Sequence, residues 1–94
     1  MVTVGMNYVV RSGKEEVFEG AFRKVITAMK GMTGHTITRM YRDIDNPRSY
    51  LIMSDWSDRG AFDGFIRSDT FRAVANWGSE QILEGRPSHT YHEH

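Results

Sequence analysis

Ser49-Tyr50-Leu51-Ile52-Met53-Ser54-Asp55-Trp56 is the stretch whose reading decides the fold. A period of two splits it into one face of Tyr50, Ile52, Ser54 and Trp56 and another of Leu51, Met53 and Asp55. A strand with one wet side keeps its large apolar groups on a single face, whereas here both faces carry them. Such a strand belongs where both sides of the sheet are covered. Upstream, Ile44-Asp45-Asn46-Pro47-Arg48 reads as a turn, because proline sets its own φ and Asp and Asn close local side-chain turns. Before the turn, His35 to Asp43, with Thr36, Ile37, Thr38, Met40 and Tyr41, reads as a second strand. So short a connection makes the two an antiparallel hairpin.

Downstream, Ser57-Asp58 caps a helical region whose apolar residues are Ala61, Phe62, Phe65 and Ile66. Ser68-Asp69 offers a fresh cap leading to Phe71, Val74 and Ala75, and Gly78 is expected to end the run. Gln81 to Arg86 reads as a short loop, and Pro87 to His94, with Thr90 and Tyr91, as a last edge strand. At the start of the chain, Val2 to Arg11 alternates cleanly, with Val2, Val4, Met6, Tyr8 and Val10 on one face. Ser12-Gly13-Lys14-Glu15 has the form of a capping box. Val17, Phe18, Ala21, Phe22, Val25, Ile26 and Met29 then follow in steps of three and four, the stripe of an amphipathic helix. Its acidic residues come early and its basic ones late, as the helix dipole favours, and Gly31 and Gly34 stop it.

The order is β-α-β-β-α-β, an α+β ferredoxin-like arrangement with an antiparallel sheet and helices on one face. Two helices cover one side of four strands. The other side, still carrying apolar groups from strands one and three, would be a large exposed patch on a monomer. A homodimer paired through that sheet face is expected. At 94 residues the chain makes one domain, and alone it hides only about 60–65% of its unfolded surface.

Composition narrows the function. Twelve basic residues balance twelve acidic ones, so no positive field points to nucleic acid or a membrane surface. No apolar run approaches the ~20 residues of a membrane span. Met1 to Gly5 lacks a basic n-region and an apolar core, so a secretory signal is not expected and a cytoplasmic location is. The absence of cysteine removes disulfides, thiolate metal sites and cysteine nucleophiles. No nucleophile elbow or glycine-rich phosphate loop occurs. His92 and His94 share a strand face with His89 nearby, yet no third ligand stands at a defined spacing, so no metal is expected. His35 is a possible acid or base, since its reference pKa lies near neutrality.

Trp56-Ser57-Asp58-Arg59-Gly60-Ala61-Phe62-Asp63-Gly64-Phe65-Ile66-Arg67-Ser68-Asp69-Thr70-Phe71 resembles the signature of antibiotic biosynthesis monooxygenase (ABM) domains. A tryptophan closes the third strand, a capped helix carries Ala-Phe, and a Ser-x-x-Phe step follows. Asn7 and the Ser12-Gly13-Lys14-Glu15 helix start are also similar to the family. The resemblance implies a dimeric α+β barrel with a pocket between helices and sheet in each subunit. It implies a cofactor-independent monooxygenase acting on a flat quinol-like or phenolic molecule. Asn7 would then hold an oxygen of the substrate, with Phe22, Trp56, Phe62, Phe65 and Phe71 around the ring. Two alternatives are a heme-binding or heme-degrading protein and a non-catalytic dimer that binds a small molecule. In the heme-degrading branch the pocket tryptophan falls at Phe65 and the iron-ligating histidine at Ala75, which disfavours that mechanism unless another histidine reaches the iron.

Overall fold

The opening alternation becomes strand β1 (Val2–Val9) in a computed structural model that describes residues 1–94. Helix α1 (Glu15–Met29), strands β2 (His35–Arg42) and β3 (Ser49–Trp56), helices α2 (Arg59–Ile66) and α3 (Asp69–Gln81), and strand β4 (Ser88–Glu93) follow. The strands form one antiparallel sheet in the order β2-β3-β1-β4. This is the ferredoxin-like arrangement, with the second helical region broken in two.

The break has a local cause. Asp58 accepts from the Ala61 amide at 2.8 Å and starts α2; Ser68 accepts from the Phe71 amide at 3.2 Å and starts α3. Each cap satisfies an amide that the first turn leaves without an intrahelical partner. The expected capping box at α1 does not form. That helix begins at Glu15 with Lys14 at the cap position and no side-chain cap bond, because the chain first turns through Gly13 at φ +84°. Ser12 is thus two residues ahead of the cap position, too far back to cap the helix. In the β2–β3 turn, Asp43 Oδ1 accepts from the amides of Asp45 and Asn46, the side-chain closure that Asp and Asn favour.

One face of the sheet is sealed by the helices. Val2, Val4, Met6 and Tyr8 of β1 meet Tyr50, Ile52 and Trp56 of β3, and Phe18, Phe22, Val25 and Met29 of α1 close over them with Phe62 and Phe65 of α2. Trp56 is fully buried, and its indole N–H donates to Ser54 Oγ at 2.9 Å, which satisfies both polar groups inside the core.

Two expectations are corrected. Gly78 does not end the last helix, which runs on to Gln81, and the segment read as a loop carries two buried residues, Ile82 and Leu83. Leu83 bridges to Val10, and the Arg11 amide donates to the Ile82 carbonyl at 2.8 Å, so tertiary pairing holds what local composition read as loop. The exposed apolar residues of the outer sheet face come from β2 and β3 (Ile37, Tyr41 and Leu51), while β1 presents Thr3, Gly5, Asn7 and Val9 there.

Gly34 has a strict role. Its φ is +87°, and a Cβ there would lie 2.6 Å from both Ala61 Cβ and Ser57 Oγ. Gly34→Ala lowers stability by about 2–4 kcal/mol, combining left-handed strain with overpacking. Gly64→Ala, in α2 with nothing near its Cβ direction, raises stability by about 0.5–1 kcal/mol. Urea unfolding at unchanged m value measures both.

Candidate functional site

Helix α3 contributes no buried side chain along its 13 residues. Its apolar residues Phe71 and Val74 are only half-buried, because they face a cavity rather than the sheet. That cavity, about 400 Å³, lies between α1, α3, β1 and the segment entering β4. Phe18, Ala21 and Phe22 of α1 form one wall and Phe71, Val74, Ala75 and Trp77 of α3 another. Tyr8 forms part of the floor, while Arg86, Pro87 and His89 stand on the β4 side. Ligand pockets commonly take this form, a mostly apolar hollow with a few placed polar groups.

Aromatic rings shape the floor. Tyr8 meets Phe22 at 5.2 Å and Phe18 at 5.5 Å between ring centroids, all tilted. Burial pushes the Tyr8 phenol well above its ordinary pKa, so it stays protonated. Its hydroxyl donates to the Met6 sulfur at 3.6 Å, a weak acceptor. His89 is opposite Met6 in the β1–β4 register and so shares the inner face with Tyr8. Its ring meets Phe62 edge-on at 6.1 Å, and partial burial lowers its pKa below 6.5.

Of the ring residues expected at the site, Phe22 and Phe71 line the cavity. Trp56, Phe62 and Phe65 lie beneath it as fully buried core, with Trp56 5.8 Å from Phe62 and 5.6 Å from Phe65. Asn7 is elsewhere. An odd position in a strand whose even positions face the helices, it points to the outer face, where Nδ2 donates to the Tyr50 carbonyl at 3.0 Å. His35 lies apart as well. Its Nε2 is 2.7 Å from Thr38 Oγ1 and its ring stands edge-on to Trp56 at 5.0 Å. Partial burial lowers the His35 pKa, and Asp55 works against that shift.

The three titratable groups of the cavity wall, Tyr8, Arg86 and His89, were not expected at the site, and neither were the polar Asn76 and Ser79 of α3. Tyr8 carried a legible signal, an inward position on strand one. His89 carried a weaker one, the alternation His89-Tyr91 that places it on the inner face once β4 is accepted as a strand. Ala75, where the heme-degrading branch has its ligand, does face the cavity, whereas Phe65 does not. No cluster of three or more His, Asp or Glu side chains is placed to hold a metal ion.

Comparison with known proteins agrees with this architecture. The solved structure of a conserved protein from Methanosarcina mazei superposes with a TM-score of 0.89 at 23% identity, over 97% of this chain and 89% of that one. SnoaB, a cofactor-independent oxygenase from Streptomyces nogalater, gives 0.85 at 20% identity, over 99% and 91%. A Natronomonas pharaonis protein named "putative heme-binding protein" is 35% identical over 89 residues, covering 95% of this chain and 15% of that protein. A Haloarcula marismortui protein named in the same way is 33% identical, covering 95% and 13%. The chain thus spans less than a fifth of the length of these relatives. The sequence profile of the antibiotic biosynthesis monooxygenase family matches residues 1–77, and the chain belongs to that family.

Proposed function

We propose that residues 1–94 act as a small cofactor-independent monooxygenase on a flat aromatic of the quinol or phenol type, bound in the cavity under α3. The observation that carries this reading is the cavity itself: aromatic walls, few polar groups, and room for a planar ring system. An oxygenation of this kind needs no external reductant. The ionised substrate passes an electron to O₂, oxygen adds at the ring carbon, and water leaves. In a hydroxyanthrone, whose enol form is a flat phenol, the ring CH₂ and O₂ become C=O and H₂O, with all four electrons drawn from the substrate. The protein's part is to exclude water, align the ring and stabilise the developing oxyanion. In the same fold the Streptomyces protein is described as cofactor-independent, which is compatible with this chemistry.

The expected test result is O₂ uptake with hydroxyanthrones or reduced quinols above the buffer rate. Ala75→Trp, which fills the cavity from its α3 wall, reduces uptake at least tenfold while thermal unfolding stays cooperative. No uptake above buffer with any of these compounds overturns the reading.

A second copy of the chain is proposed on the outer sheet face. Ile37, Tyr41 and Leu51 are 39%, 49% and 38% exposed there, and burying such a patch is favourable by ~25 cal/mol per Å². Sedimentation at micromolar concentration gives twice the 10.8 kDa protomer mass, and Leu51→Lys shifts it toward one. A wild-type particle of protomer mass contradicts this.

Heme binding is the second reading, favoured by the one imidazole in the cavity and by the names of the archaeal relatives. The donors fit the group: His89 would ligate the iron and Arg86 would face a carboxylate. When bound, heme supplies an iron centre for O₂ chemistry. On this reading hemin develops a shifted Soret band that His89→Ala removes; an unchanged band in that variant refutes it.

A further inference from the structure

Among the aromatic rings that line the cavity, Trp77 stands apart. Tyr8, Phe18 and Phe22 pack on one another with centroids 5.0 to 5.5 Å apart, and Phe71 stands edge-on to Phe65 at 4.9 Å. Trp77 lines the same hollow, yet no aromatic ring meets it and it remains 41% exposed. Trp56, the other tryptophan, is fully buried among Phe62 and Phe65 with its N–H bonded to Ser54. Tryptophan carries one of the largest apolar surfaces of any side chain, so one left half in water on a cavity wall is an unfinished contact.

Its place on the helix explains the exposure. At about 100° per residue, Phe71, Ala75, Gly78 and Ile82 form one stripe and Trp77 falls on its flank, beside Val74. The indole thus stands at the rim of the cavity and not on its floor. The backbone that carries it is lightly held. Helix α3 buries no side chain, and Gly78 follows Trp77 directly with nothing within 4 Å of where its Cβ would project. The Gly78 carbonyl accepts from the amides of both Ile82 at 2.9 Å and Leu83 at 2.8 Å, so the last turn is widened. Tyr8, Phe18 and Phe22 are buried and cannot leave their places without opening the core, whereas Trp77 turns at no such cost.

We propose that Trp77 is the gate of the cavity and sets its preference for flat ligands. The indole closes on the open face of a planar aromatic that rests on the fixed rings of Phe18 and Phe22, and so completes the wall. One fixed and one movable aromatic surface clamp a slab; a globular aliphatic molecule of similar size meets only one of them well. Stacking adds to the apolar area that closure removes from water. This rests on the aromatic-ligand reading of the cavity and adds to it the residue that confers selectivity.

The probes are alizarin, a planar dihydroxyanthraquinone, and 1-adamantanol, a globular aliphatic alcohol. Alizarin is already a quinone, so its binding is independent of any O₂ reaction, and a failed oxygenase assay leaves this test intact. In protein labelled with 5-fluorotryptophan, the two fluorine resonances belong to Trp56 and Trp77, and Trp77→Phe assigns them. In the free protein the Trp77 resonance shifts between H₂O and D₂O; alizarin abolishes that shift, while buried Trp56 shows none in either state. By calorimetry, Trp77→Ala weakens alizarin binding at least tenfold and 1-adamantanol binding less than twofold, and Trp77→Phe recovers most of the alizarin affinity. An unchanged Tm shows that these variants keep the fold. A solvent shift at Trp77 that survives alizarin binding, or equal weakening of both probes by Trp77→Ala, overturns the gate and leaves the aromatic cavity in place. No binding of alizarin overturns both.

Discussion

The structure depends on a helix that does not reach the sheet. Helices α1 and α2 press large side chains onto β1 and β3 and seal them. Helix α3 is held at a distance, with its start fixed by the Ser68 cap and its end by Ile82 and Leu83, which are buried against the core and tied to β1. Between these anchors Phe71 and Val74 pack only partly on the core, with Phe71 edge-on to Phe65 at 4.9 Å, and otherwise line the cavity. Filling that space with protein atoms would add dispersion contacts that the open hollow forgoes. A hollow lined by Phe18, Phe22, Phe71 and Trp77 leaves apolar surface that the proposed ligand would cover.

Much of this could be read from residues alone. The two-faced strand Ser49–Trp56 has the bounds its alternation implied, and the Asp58 and Ser68 caps start the two helices where their side chains predict. The end of α3 could not be read that way. Glycine in a helix costs only ~1 kcal/mol, and Gly78 is carried through because Ile82 and Leu83 gain full burial just beyond it. Local punctuation lost to tertiary packing.

The site was less legible than the fold, for a geometric reason. Periodicity tells which residues turn inward but not whether an inward residue meets a neighbour or a void. Trp56, Phe62 and Phe65 turn inward and meet one another; Phe22 and Phe71 turn inward and meet the cavity. Asn7 shows the opposite failure. Family likeness drew attention to it, yet strand parity already placed it with Thr3, Gly5 and Val9 on the outer face. His89 looked like part of a polar terminus because β4 is mostly exposed, and only pairing with β1 turns its ring toward the cavity.

Amide hydrogen exchange along the helices tests the central claim most directly, since a helix without buried side chains opens locally at low free energy. The account predicts that α3 amides exchange well ahead of those in α1 in the free protein and slow markedly when a planar phenolic dye is added, with α1 unchanged. Equal protection of α1 and α3 without ligand, or no gain in α3 with it, would contradict a ligand cavity beneath that helix.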